Sequence, residues 1–357
     1  SVRRSGGRFV CRFLRDAGSV LRVVDDEGDV EREVELPAPG TVGAIAGEDA
    51  ATEAFLEFES FARPPAVLRL DVETGGLEPF FAPAVPFDPD RFVTEQVFFR
   101  SRDGTRVPMF VTRRADVTPD GARPVHLYGY GGFYAAQTPA YSPVMLEWME
   151  RGGVYALANV RGGGEYGIVW HWEGMRERKQ NVFDDFVAAA ERLVEDGWTT
   201  PRRLSIGGRS NGGLLVGACL TQRPDLFGAC VARVGLFDML RYDRFPMGRT
   251  WRNEYGSSED ETQFEALRRY SPLHRVRAGA TYPATLLTTA DHDERVPPSH
   301  SFKFAAALQE AQAGEAPILL RVTSRAGHGA GTSTSRAIAE WVDVAAFLAE
   351  ALDFPLE

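Results

Sequence analysis

Gly208-Arg209-Ser210-Asn211-Gly212 sets a serine between glycines two residues to either side, with the apolar run Leu204-Ser205-Ile206 before it and Gly213-Leu214-Leu215-Val216 after it. An apolar strand thus runs into the serine and a helix-forming segment follows at once. A strand-to-helix turn this sharp leaves no room for Cβ atoms near its apex, which explains the glycines, and it pushes the serine hydroxyl out at the carboxyl edge of a sheet. The chemistry open to such a hydroxyl is attack on a carbonyl, so Ser210 is the candidate nucleophile. Five residues do not separate this from an ordinary glycine-rich loop, and the partners of the serine must decide.

A serine nucleophile needs a general base and a group that orients the base, supplied on this kind of turn in the chain order serine, acid, histidine. His292, His300 and His328 follow Ser210 far enough to lie beyond a later strand. His328 stands in Arg325-Ala326-Gly327-His328-Gly329-Ala330-Gly331, directly after an apolar run at 318–322, and a loop at a strand's carboxyl end can reach the serine. His300 falls within a helical pattern and reads as a surface or packing residue. The acid belongs after the preceding strand, where Ala290-Asp291-His292-Asp293-Glu294-Arg295-Val296 offers three carboxylates that local spacing does not separate. An oxyanion site completes the set: the Asn211 backbone N–H is the expected first donor, and the glycine-rich Tyr128-Gly129-Tyr130-Gly131-Gly132-Phe133 is positioned to supply the second.

The elements that must carry these groups alternate. Strands are predicted at 125–130, 154–160, 204–206, 284–289 and 318–322, with helices at 183–195, 299–311 and 334–350, after a hairpin of 94–100 and 107–112; this is the grammar of a doubly wound, mostly parallel sheet. Residues 8–82 differ. Short strands at 8–14, 20–24, 31–36, 54–61 and 66–72 are separated by turn formers, which predicts an antiparallel module with the spacing of about two propeller blades. Two blades do not close a ring of the usual four to eight. The module therefore either packs on the second domain or continues outside this sequence. The proline-rich stretch 83–89 reads as the linker, giving a partial β-propeller at 1–82 and a catalytic domain at 83–357.

Composition bounds the rest. The 357 residues are 44% hydrophobic and 25% charged, with a formal net charge of −10, which suits a soluble globular enzyme and argues against nucleic acid or an anionic membrane as partner. Arg202-Arg203 and Arg268-Arg269 are too short to reverse this. Cys11, Cys219 and Cys230 lack metal-ligand spacing and suit a reducing, cytoplasmic setting, with a periplasmic or secreted location left open by the unknown native start. No apolar run reaches about 18 residues, and Ser1-Val2-Arg3-Arg4-Ser5-Gly6-Gly7 lacks the apolar centre of a signal peptide. The chain starts without methionine, which allows a processed, cloned or cleaved start.

With these pieces in place the chain closely resembles the prolyl oligopeptidase family of serine peptidases. The resemblance is carried by Tyr128 to Phe133, Asn159-Val160-Arg161-Gly162-Gly163-Gly164-Glu165-Tyr166-Gly167, Lys179-Gln180-Asn181-Val182-Phe183-Asp184-Asp185-Phe186, the serine turn, Ala290 to Val296 and Arg325 to Gly331. It implies an α/β-hydrolase domain preceded by the last blades of a seven-bladed propeller. It selects Asp293 among the three carboxylates, makes Ser210, Asp293 and His328 the catalytic triad, and adds the Tyr130 hydroxyl to the Asn211 N–H in the oxyanion hole. It also implies a slot for a proline ring, with Trp251 as the stacking wall, Phe133, Tyr255, Val296 and Leu236 around it, and Arg295 on the carbonyl of the preceding residue. No metal or cofactor is required. The expected substrates are short proline-containing peptides cut on the carboxyl side of proline.

Two departures stand out. The N-terminal segment and most of the propeller that family members carry are absent from this sequence, so a missing portion of the same protein is an expected partner. Leu236-Phe237 occupies a pocket position where the family more often has a smaller residue. Rival readings are an oligopeptidase cutting after basic residues, which would need acidic pocket groups, an acylaminoacyl-peptidase or esterase on the same triad, and an inactive peptide-binding scaffold.

Overall fold

Two four-stranded antiparallel sheets open the chain, each in sequence order. The first is β1 (Val2–Ser5), β2 (Arg8–Arg15), β3 (Gly18–Val24) and β4 (Val30–Val34); the second is β5 (Thr41–Gly47), β6 (Glu53–Glu59), β7 (Ala66–Asp71) and β8 (Leu77–Phe81). The computed structural model describes residues 1–329 and 333–355, so Ala330 and Gly331 of the predicted histidine loop lie outside the described residues. Three of these strands were invisible to pattern. β1 is a polar edge strand, β5 carries Gly43 and a register shift between Val42 and Ile45, and β8 contains Pro79, which an edge strand tolerates. Alternation buries Val10, Leu21, Val23, Leu56, Phe58, Leu68 and Leu70 in one core shared by both sheets.

The second body is an eight-stranded sheet in the order β16-β15-β14-β13-β11-β12-β10-β9. Its members are β9 (Phe92–Arg100), β10 (Arg106–Arg114), β11 (Val125–Tyr128), β12 (Val154–Ala158), β13 (Leu204–Arg209), β14 (Ala229–Arg233), β15 (Ala284–Ala290) and β16 (Ile318–Thr323). Pairs from β12 through β11 to β16 are parallel, while β9, β10 and β12 pair antiparallel. This is the doubly wound, mostly parallel sheet expected of an α/β-hydrolase. The strand β14 was missed, because Ala-Cys-Val-Ala is a short run of mostly small residues that only burial between two neighbours makes a strand. The helix Gln180–Glu195 buries Val182, Phe183, Phe186, Ala189, Ala190 and Leu193 at helical spacing, and the helix Asn211–Gln222 is buried from Asn211 to Thr221.

The two bodies touch through specific contacts. The β2–β3 turn buries Ala17 against Phe61, Phe110 and Leu157, and the Tyr166 hydroxyl donates to the Asp16 carboxylate at 2.6 Å. Thr41 Oγ1 donates to the Pro139 carbonyl at 2.6 Å, and the Tyr141 N–H donates to Glu59 at 2.8 Å. The loop after β11 is therefore tied to the antiparallel module at its far end.

Under that loop lies a buried carboxyl group. Glu165 is 4% exposed; one oxygen accepts from the Gln137 N–H at 2.8 Å, while Oε2 and the neighbouring Asn159 Oδ1 have no partner. Burial pushes its pKa up to about 7. In the unfolded chain the same group ionises near its ordinary value of 4.5, so the folded state holds the proton over a wider range. The stability this contributes is fully present below about pH 4.5 and is lost as pH rises through about 7. We expect Glu165→Gln, which is neutral throughout and can donate to Asn159, to gain stability relative to the parent by up to about 3 kcal/mol between pH 4.5 and 8. Urea unfolding at both pH values checks this, and a pH-independent difference would contradict it.

Candidate active site

Ser210 sits at φ 59° and ψ −115°, between the end of β13 and the helix that starts at Asn211. A side chain at φ near +60° is strained, and the turn survives because the backbone around it closes tightly. A Cβ on Gly208 would lie 2.2 Å from the Gly212 carbonyl oxygen, and one on Gly212 would lie 2.7 Å from that of Gly129. The glycine spacing in the sequence thus has its physical origin in two close backbone approaches, one within the turn itself and one to the loop after β11. The Ser210 N–H is fixed by the Arg233 carbonyl at 2.8 Å.

The loops after β15 and β16 converge on this serine. His328 Nε2 lies 3.1 Å from Ser210 Oγ, and His328 Nδ1 lies 2.7 Å from Asp293 Oδ2. The other Asp293 oxygen accepts the backbone N–H groups of Arg295 at 3.0 Å and Val296 at 2.8 Å, which holds the carboxylate and aims it at the ring. With Nδ1 donating to Asp293, Nε2 is left to accept the serine proton. Asp293 and His328 are 4% and 6% exposed. The geometry separates the three carboxylates that spacing left level. Asp291 is exposed and pairs with His292 at 2.7 Å, and Glu294 is exposed, so only Asp293 faces His328. His300 is a packing residue: its Nδ1 accepts the N–H groups of Phe237 and Asp238, and burial depresses its pKa to about 4.

The Asn211 N–H belongs to the first turn of its helix, where backbone donors lack helical partners and the dipole favours negative charge. Its side chain joins two neighbours, donating to the Tyr130 carbonyl and accepting from the Tyr255 hydroxyl at 2.8 Å. Burial, then the adjacent Tyr128 and Glu254, raise the Tyr130 pKa, so its hydroxyl stays a protonated donor at neutral pH.

Beside these donors stands an aromatic group. Phe133 meets Trp251 with ring centroids 6.2 Å apart and Tyr255 at 5.6 Å, both edge to face. Phe133 is partly exposed, Trp251 half-buried, and Tyr255, Val296 and Leu236 are buried in the core. Arg295 is exposed and lines a cavity of about 400 Å³ with Arg209, Arg233, Thr289 and His328. Trp251 and Phe133 lie outside that cavity's lining.

Sequence reasoning assigned no role to several charges below the site, most of them buried. Arg161 lays its guanidinium on Asp185 with contacts of 2.6–3.1 Å and also reaches Asp103 at 2.5 Å. Arg209 donates to the His328 carbonyl, tying the serine turn to the histidine loop. Lys179 and Glu254 pair at 2.8 Å beneath the Tyr130 loop. All three sets include residues already quoted in the motif runs, yet nothing in their spacing tells that they meet. Among the described residues no cluster of His, Cys, Asp and Glu could hold a metal ion, and no helix is long and apolar enough to cross a membrane.

Known proteins similar to this chain are numerous. Residues 139–354 match the prolyl oligopeptidase family, and residues 1–83 match the N-terminal beta-propeller domain of prolyl oligopeptidase. The prolyl endopeptidase of Elizabethkingia miricola is 45% identical over 347 residues, which are 97% of this chain and 49% of that protein. The prolyl endopeptidase of Dictyostelium discoideum is 36% identical over 363 residues, covering 99% of this chain and 47% of its own. Among solved structures, a prolyl endopeptidase studied for inter-domain dynamics superposes with a TM-score of 0.93 at 47% identity, over 99% of this chain and 52% of that one. Prolyl oligopeptidase B of Galerina marginata, bound to a 35mer hydrolysis and macrocyclization substrate, also gives 0.93 at 34% identity, over 100% of this chain and 51% of that one. The chain thus spans about half the length of the relatives it matches. With a family match over the greater part of its length, the chain belongs to the prolyl oligopeptidase family.

Proposed function

We propose that this chain carries the catalytic machinery of a serine endopeptidase that hydrolyses short peptides on the carboxyl side of proline. The observation that carries the reading is the relay Ser210, His328, Asp293 at 3.1 and 2.7 Å, set beside the aromatic group of Phe133, Trp251 and Tyr255. In this reading residues 1–82 are the last two propeller blades, residues 83–357 are the catalytic domain, and the remainder of the propeller is its partner. Three buried, unpaired cysteines suit a reducing compartment such as the cytoplasm.

Catalysis begins with His328 Nε2 taking the Ser210 Oγ proton as Oγ attacks the prolyl carbonyl carbon. Asp293 holds the ring tautomer and stabilises the imidazolium that forms. The carbonyl oxygen becomes an oxyanion that accepts from the Asn211 N–H and the Tyr130 hydroxyl. Collapse breaks the C–N bond, and His328 returns its proton to the leaving amine. Water, deprotonated by the same histidine, then releases the acyl group from Ser210. Specificity rests on area: a pyrrolidine ring offers flat apolar surface and no N–H, which suits aromatic walls. The aromatic character of the Trp251 region disfavours the reading in which a basic residue is recognised.

Stoichiometric labelling by a fluorophosphonate is expected, with complete loss in Ser210→Ala; an unlabelled parent would sink the enzyme reading. Chromogenic peptides ending in Gly-Pro should be cleaved at least about 100-fold faster than those ending in Arg, measured as kcat/KM, since several kcal/mol of pocket contact differ between them. Preference for the Arg peptide would overturn the specificity. Tyr130→Phe should lower kcat about 100- to 1000-fold, the effect of losing one oxyanion donor, with KM changed only a few-fold. An unchanged kcat would remove Tyr130 from the mechanism.

A further inference from the structure

The buried pair beneath the Tyr130 loop does more than fill space. Lys179, just before the helix Gln180–Glu195, is 1% exposed and Glu254, on the short helix Arg252–Tyr255, is 4% exposed. Their contact is 2.8 Å, and each spends a second hydrogen bond on the same loop. Lys179 Nζ donates to the Gly131 carbonyl at 2.9 Å, and Glu254 Oε2 accepts the Phe133 N–H at 3.1 Å. The loop is pressed onto the pair. A Cβ on Gly132 would lie 2.9 Å from Glu254 Oε1 and 2.7 Å from Asn211 Nδ2. Gly131, at φ 65°, has Val182 Cγ1 2.3 Å from the place its Cβ would occupy. Glu254 is faced by the Lys179 ammonium and, 3.6 Å away, by His171 Nε2; His171 in turn accepts the Tyr134 N–H through Nδ1 at 3.1 Å.

Resting on the peptidase reading above, the geometry points to Lys179 and Glu254 as positioning residues that set the oxyanion donor and the proline wall with one ion pair. Tyr130 is held through the peptide groups that follow its Cα: Asn211 donates to its own carbonyl, and the pair takes the carbonyl of Gly131 and the N–H of Phe133. The same Glu254 sits between Trp251 and Tyr255 in sequence, so the chain segment that carries the wall and the loop that carries Phe133 share one anchor. Lys179 also lies 5.3 Å from the centroid of the Tyr255 ring, on the residue that hydrogen-bonds Asn211. A stabilising hydrophobic pair of similar volume could fill the same space, and buried ion pairs are frequently no better than such a replacement for stability. What an apolar pair cannot do is grip a carbonyl and an N–H two residues apart and so fix the loop in register. A donor displaced by about 1 Å loses on the order of 100-fold in rate.

The test is a double-mutant cycle in the full chain. Glu254→Gln, Tyr130→Phe and the two combined are assayed for kcat and KM on a Gly-Pro anilide, and for the rate of fluorophosphonate labelling, which needs the oxyanion site and no proline pocket. Glu254→Gln should lower kcat and labelling about 10- to 100-fold when Tyr130 is present, and less than about 3-fold when Tyr130→Phe has already been made. Lys179→Met with Glu254→Leu, chosen to refill the volume without charge, should fold with the parent's circular dichroism and show the same kcat loss, which covers the case in which the single variant fails to fold. Equal losses with and without the Tyr130 hydroxyl, or a folded apolar double variant within about 3-fold of the parent, would overturn the positioning role. Retained labelling with no Gly-Pro cleavage by the parent would instead sink the proline reading, and the labelling cycle would still decide the role of the pair.

Discussion

The crossing of two backbones at Gly212 and Gly129 is the constraint on which the site depends. It brings the first turn of the helix Asn211–Gln222, directly after Ser210, against the Gly129-Tyr130 backbone of the loop after β11. Ser210 at φ 59° costs on the order of 1–3 kcal/mol of backbone strain, which persists only where the surroundings over-determine it. Here they do: the helix from Asn211 is buried along nearly all its length, and β13 is flanked on both sides by parallel partners. The strain is thus held by packing on the far side of the turn from the chemistry.

Around that crossing, buried charge is used for geometry. Asp293 spends one oxygen on two backbone N–H groups and the other on His328, so its charge also sets the direction of the ring. Arg161 joins the end of the β12 segment to the helix Gln180–Glu195 through Asp185, burying a fork with its counterion. Breaking such a pair by removing one partner leaves an uncompensated charge, which costs about 3–5 kcal/mol. Each pair links segments far apart in sequence at the carboxyl ends of the parallel strands, where loops from several strands can meet.

The antiparallel module reaches the site indirectly. Asp16 holds Tyr166, while Thr41 and Glu59 hold the loop of residues 135–141 that follows Phe133 and Tyr134. Glu165 lies between, bonded to Gln137. These hydrogen bonds join the module to the chain that leads from the Tyr130 loop, beside the apolar packing of Ala17 and Phe61 on Phe110 and Leu157.

The sequence by itself showed the serine turn, the glycine-rich histidine loop and most of the strands that carry them. Glycines at 208 and 212, a histidine in a glycine-rich loop after a late apolar run, and the alternation of apolar segments each follow from local sterics and periodicity, so they survive without a fold. Short or glycine-broken strands such as β5 and β14 did not, because their pairing depends on neighbours rather than on their own pattern. Residue spacing alone could not choose among Asp291, Asp293 and Glu294, which needed the resemblance and then the direction of one loop relative to His328. Only the tertiary structure brought Lys179, more than 70 residues before Glu254, against it beneath the Tyr130 loop. The reason is physical: an ion pair buried between two elements leaves no periodic trace in either, since its partners are chosen by where the chain returns and not by what precedes them.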